Sequence, residues 1–137
     1  MKIVIDTNDY ISALIGKKHR EKLTFVLNRS DIEIFANENL IAEIIEVGYR
    51  DKFRKYVSLE DVDIFVEVLQ KRLTFIETSI LIYDSPDPDD NYLLSLAIDS
   101  KSEYLITGDK NDLISLSPFQ GILIIRLYQL IEILNIY

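Results

Sequence analysis

Two periods of hydrophobic spacing alternate along the chain. Short β-branched runs at residues 2–5, 32–35, 104–107 and 122–125 predict buried strands. Between them, apolar positions recur at helical spacing. Residues 7–15 predict a short helix, Gly16 a loop, and residues 21–28 a second helix. Residues 38–48 predict a helix with Leu40, Ile41, Ile44 and Ile45 on one face. Ser58, with Asp61 three residues on, resembles a capping box that opens a helix running to Leu73. Residues 75–76 and 80–83 are strand-like, and Pro86 and Pro88 force a non-helical loop. Asp89 or Asp90 then starts a helix through Ser100, where the carboxylates favour the positive end of the helix dipole. Residues 127–134 predict a closing helix. Strands alternating with helices imply βαβ units: an α/β fold with a mainly parallel sheet and helices on both faces.

Composition narrows this picture. The 137 residues, 48% hydrophobic, suffice for one domain spanning 1–137 with a real core. Four glycines, three prolines and no repeat leave no sign of a linker. No apolar run approaches the roughly 20 residues that span a bilayer, and the stretch before Asp6 is too short for a signal-peptide core. The absence of cysteine excludes disulfides and thiolate chemistry and suits a cytoplasmic protein. Fifteen basic against 23 acidic residues give a net charge of −8, which argues against non-specific coating of nucleic acid. Local basic segments remain as candidate phosphate contacts: Lys17, Lys18, His19 and Arg20; Lys52, Arg54 and Lys55; Lys71 and Arg72.

The acids carry the chemical interest. Asp6 directly follows the first strand, and Asp109 follows the run at 104–107 by two residues. In an open parallel sheet, ligands bind outside the carboxyl ends of the strands. Carboxylates delivered there from different strands repel one another unless a cation sits between them. Hard oxygen donors, with no cysteine and a single histidine, favour Mg²⁺ or Mn²⁺ over zinc.

Four pieces in order carry a family resemblance. They are Asp6-Thr7-Asn8 after the first strand, Glu43 in the third helix, Asp87-Pro88-Asp89-Asp90-Asn91, and Thr107-Gly108-Asp109 followed by Asp112-Leu113. Together they resemble a PIN domain over essentially the whole chain, and in particular the short toxin-like members of toxin–antitoxin pairs. The resemblance implies an α/β/α sandwich and a metal-dependent ribonuclease. It places Asp6, Glu43, Asp90 and Asp109 on the acidic metal-site positions, Asn8 on a supporting polar position, and Asp112 on a frequent extra acid. It further implies an RNA substrate, an antitoxin partner and a homodimer. Two departures stand out. Asp9 occupies a place where the family usually has an apolar residue, and Asp109 and Asp112 are spaced by three rather than two. A spacing of three on a helical turn keeps both acids on one side.

Each of these residues also has a plainer role. Asp6 and Asp90 are suited to capping helices, Glu43 and His19 to lying solvated, and the Lys17–Arg20 stretch to forming a charged face. Tyr49, Phe53, Tyr56 and Phe65 read as core or interface rather than base-stacking platforms. A receiver domain would need paired acids after the first strand, where Thr7 and Asn8 stand. A haloacid-dehalogenase phosphatase would need an acid at Asn8. The serious rival is a PIN-like scaffold that binds a protein and cleaves nothing.

Overall fold

A computed structural model describes residues 1–78, 90–108 and 111–136, with the backbone alone at 111, 112 and 136. The expected strand at 80–83 and the proline loop lie outside the described residues. The chain opens with β1 (Lys2–Ile5), α1 (Thr7–Ile15), α2 (Lys17–Leu27) and β2 (Glu33–Ala36). There follow α3 (Glu38–Gly48), a short 3₁₀ turn (Asp51–Phe53), α4 (Leu59–Arg72) and β3 (Thr74–Phe75). The remainder comprises α5 (Asn91–Asp99), β4 (Tyr104–Ile106), α6 (Asn111–Ile114), β5 (Leu123–Ile125) and α7 (Leu127–Ile136).

Among the described residues, five strands form one sheet in the order β3-β2-β1-β4-β5, and every pair is parallel. In β1, Ile3, Val4 and Ile5 are all fully buried. Successive strand residues point to opposite faces, so burial of all three means that helices cover both faces of the sheet. That is the α/β/α architecture expected. The strand order also fixes where a ligand belongs. β2 and β3 lie to one side of β1, while β4 and β5 lie to the other, so the chain reverses its direction of travel between β1 and β4. Adjacent loops splay apart there and leave a crevice at the carboxyl ends.

Local chemistry sets most element ends. Ser58 Oγ accepts from the Asp61 N–H at 3.0 Å, as the capping box predicts. Asn37, itself buried, caps α3 by accepting from the Leu40 N–H at 2.9 Å. The apolar face of α3 buries Leu40, Ile41 and Ile44, with Ile45 packed at its margin.

The second helix departs from expectation. It begins at Lys17 rather than 21, so Lys17 to Arg20 form its first turn instead of a loop. Three basic side chains at the positive end of a helix dipole are unfavourable in isolation. Tertiary contact compensates. Arg20 donates to the carbonyls of Ala13 (3.0 Å) and Leu14 (3.1 Å), closing the end of α1, and Gly16 alone joins the two helices. Arg72 does the same work on a larger scale, donating to the carbonyls of Leu27, Arg29 and Ile32 at 2.7, 3.0 and 2.8 Å. Arg54 donates to the Gly48 carbonyl. These guanidinium groups each donate to backbone carbonyls. Lys52 and Lys55 lie 5.1 Å from the ring centroids of Phe53 and Tyr56, respectively. Of the four aromatics read as core or interface, Phe65 packs edge-on against Tyr10, whereas Tyr49 and Tyr56 are exposed.

Candidate active site

Asp6 sits where β1 ends, at the crevice between β1 and β4. Its N–H donates to the Ile106 carbonyl at 2.8 Å, extending the β1–β4 ladder by one bond. Its backbone is extended, which turns the chain into α1. The side chain is 3% exposed. Oδ2 accepts from the Thr107 hydroxyl at 2.8 Å, and Oδ1 accepts from the Asn8 N–H at 3.4 Å. Asp6 is therefore a helix cap and more than that. One oxygen is tied across the switch point to the strand that leads to Asp109. The described support from Asn8 comes through its backbone.

Burial raises the Asp6 carboxyl to about 7. The Thr107 hydrogen bond opposes that rise, and the negative charges of Asp90 and Asp9 add to it. Asp90 precedes α5 and is itself buried, at 6% exposure, close enough for its charge to act on Asp6. It stands at the helix N-cap position but makes no side-chain capping bond, so capping does not account for its burial. The fold has brought Asp6 and Asp90 together from positions 84 apart in the sequence.

Glu43 joins this group through a residue the sequence reading missed. The Tyr92 hydroxyl donates to Glu43 Oε2 at 2.9 Å and lies 3.1 Å from Thr7 Oγ1. Thr7, fully buried, is the neighbour of Asp6. Glu43 is half-buried and tied to the first turn of α1 through two hydrogen bonds, rather than solvated as a helix glutamate would be. Burial, together with the charges of Glu43 and Asp6, holds the Tyr92 hydroxyl well above its ordinary range, which keeps it protonated and able to donate.

Asp9 is the second surprise. It is 1% exposed, and its Oδ1 lies 2.9 Å from Nε2 of His19, the sole histidine. Among the described residues, Oδ2 has no hydrogen-bond partner. A Cβ on Gly108 would stand 3.4 Å from Asp9 Oδ1, so this carboxylate lies against the residue that precedes Asp109. The expectation that His19 is simply solvated is thus corrected: α2 starts early enough to aim it at Asp9. The departure at position 9 is buried within the acidic group, not turned to solvent.

Asp109 lies outside the described residues, and of Asp112 only the backbone, in α6, is described. Among the described residues, no three Asp, Glu, His or Cys side chains stand close enough to hold a metal ion. Asp6 and Asp90 offer hard oxygens, and a raised, buried Asp6 within electrostatic reach of Asp90 and Asp9 is the condition that a divalent cation relieves. In this respect the residues present fit such an ion.

The fold and the site define a parallel α/β domain with buried acids at its switch point. The profile of the PIN domain family matches residues 2–111, and the chain belongs to that family. An uncharacterised protein of Methanocaldococcus jannaschii is 33% identical over 123 residues, covering 85% of this chain and 75% of its own. Among solved structures, VapBC2 from Rickettsia felis, bound to a DNA fragment from its promoter, superimposes with a TM-score of 0.61 at 16% identity, over 90% of this chain and 97% of that one. The PIN domain endonuclease Utp24 gives a TM-score of 0.53 at 20% identity, over 90% and 82% of the two chains. Both likenesses are of fold. No helix among the described residues is long and apolar enough to cross a membrane.

Proposed function

We propose that this protein is a metal-dependent ribonuclease that hydrolyses RNA phosphodiester bonds, acting as the toxin of a toxin–antitoxin pair. The observation that carries this reading is the Asp6 carboxyl, buried at the β1–β4 crevice of a PIN-family fold and raised to about 7 beside Asp90 and Asp9. Asp6, Asp90 and Asp109 would hold the ion, with Glu43 beside it and Asn8 and Asp112 in support. Hard carboxylate donors favour Mg²⁺ or Mn²⁺. Such an ion, when bound, neutralises phosphodiester charge and makes a water molecule more acidic. The chain's own groups do the rest. Thr107 orients Asp6, and Glu43, held by Tyr92, would accept a proton from the attacking water.

Calorimetric titration of Mn²⁺ into the wild type and Asp6→Asn tests this without knowledge of the substrate. Saturable wild-type binding that is lost in the variant is the expected result, followed by RNA cleavage that stops in chelator. Equal, weak heats in both would sink the reading and leave a PIN-like scaffold that binds a protein partner. The toxin role draws its support from the likeness in fold to VapBC2. It carries with it a homodimer and an antitoxin that enters the acidic crevice. Sedimentation equilibrium showing a clean monomer at micromolar concentration would remove the dimer.

A further inference from the structure

Tyr92 stands at the junction of three elements and belongs to none of the motifs that pointed to the acids. It extends from the first turn of α5, its ring packed against the core, and its hydroxyl reaches both Thr7 on α1 and Glu43 on α3. Counting protons fixes the direction of this chain. A carboxylate only accepts, so the single Tyr92 proton goes to Glu43 Oε2, and the Thr7 hydroxyl must therefore donate to Tyr92. The relay runs from Thr7 to Tyr92 to Glu43, and each bond polarises the next.

The consequence for Glu43 is specific. Oε2 is held, while Oε1 takes no hydrogen bond from the described residues. A glutamate on a helix surface samples several rotamers, whereas this one is restrained at one oxygen and open at the other. The restraint originates at Thr7, whose neighbour is Asp6, so the orientation of Glu43 is set relative to the acid at the centre of the site. From this geometry we infer that Tyr92 is a positioning residue, holding Glu43 in the orientation in which its second oxygen would serve a divalent ion bound at Asp6 and Asp90. The inference rests on the metal-dependent reading given above and assigns a residue to it. Groups that orient a metal site's acids through a hydrogen bond typically contribute about 10- to 100-fold in metal affinity.

Mn²⁺ titration of four proteins tests it: wild type, Tyr92→Phe, Glu43→Gln and the double variant. Phenylalanine keeps the packed ring and removes only the hydroxyl, so the urea midpoint of Tyr92→Phe in chelator reports any purely structural effect. The expected pattern is about 10-fold or more loss of Mn²⁺ affinity in Tyr92→Phe, with no further loss when that change is added to Glu43→Gln. Thr7→Val should give a smaller loss, because it removes the outer bond of the relay. Wild-type-like affinity in Tyr92→Phe, or losses that simply add in the double variant, would overturn the inference while leaving the metal site standing. Unchanged affinity in Glu43→Gln would overturn it as well, by removing Glu43 from the ion's surroundings. A wild type that takes up no Mn²⁺ would bring down both the inference and the reading beneath it.

Discussion

Replacing Asp6 with asparagine removes a charge the metal-free fold holds at a cost, and the size of that cost can be worked from its environment. The carboxyl is raised from 3.8 to about 7 in the folded protein. Between those values the folded state binds a proton that the unfolded state has released, so stability falls as pH rises through that window and stays low above it. Three pKa units at ~1.4 kcal/mol each set an upper bound of about 4 kcal/mol. Burial at 3% exposure leaves little solvent screening to discount it. Asparagine removes the charge but loses an acceptor. The Thr107 hydroxyl can turn to accept from the new amide, which keeps that loss near ~1 kcal/mol. Urea denaturation in chelator, run on both proteins from pH 5 to 8, isolates the effect because the other acids titrate in both. The stability difference should move in favour of Asp6→Asn by about 2–3 kcal/mol across that range, or roughly 1 M in midpoint. Saturating Mn²⁺ should reverse the order at pH 8, since a ligand of the folded state stabilises only the protein that binds it. Parallel pH profiles in chelator would refute the assignment of a raised, charge-burdened Asp6.

Four further outcomes follow from the same structure. His19→Ala should lower stability by about 1–3 kcal/mol, since it leaves Asp9 buried without its partner. Asp9→Val should be neutral or stabilising, because a buried carboxylate held by one hydrogen bond gains little over apolar packing. Urea midpoints of the two variants decide this, and a neutral His19→Ala would mean the pair contributes nothing. Arg72→Met should cost about 2–4 kcal/mol, because the Leu27 and Ile32 carbonyls lose the Arg72 donor and the Arg29 carbonyl keeps only a long bond from the Ile32 N–H at 3.4 Å. It should leave Mn²⁺ affinity unchanged, and a loss of affinity at constant stability would contradict its structural role. Ser58→Ala should cost about 1 kcal/mol in thermal unfolding through loss of the α4 cap. An unchanged midpoint would show that the cap is redundant.

The local half of this protein was legible in its sequence. The apolar run of β1, the one-sided face of α3 and the Ser58 cap each depend on neighbours within a turn or a strand, so their spacing alone predicted them. The order of the acidic pieces likewise indicated the family, because those residues sit at element ends that the pattern already marks. Proximity across the chain was beyond it. That Glu43 answers to Tyr92 and Thr7, that Asp9 is buried against His19, and that Arg20 and Arg72 close helix ends all depend on which elements pack together. Sequence spacing carries no term for such contacts. The early start of α2 shows the reason most plainly. Its first turn, Lys17 to Arg20, is unfavourable on local grounds and forms because Arg20 reaches back to carbonyls of α1. The same turn then points the one histidine at the buried Asp9. Local propensity determined most of the strands and helices, and tertiary hydrogen bonding decided where α2 begins, which side chains face the crevice and in what state of charge.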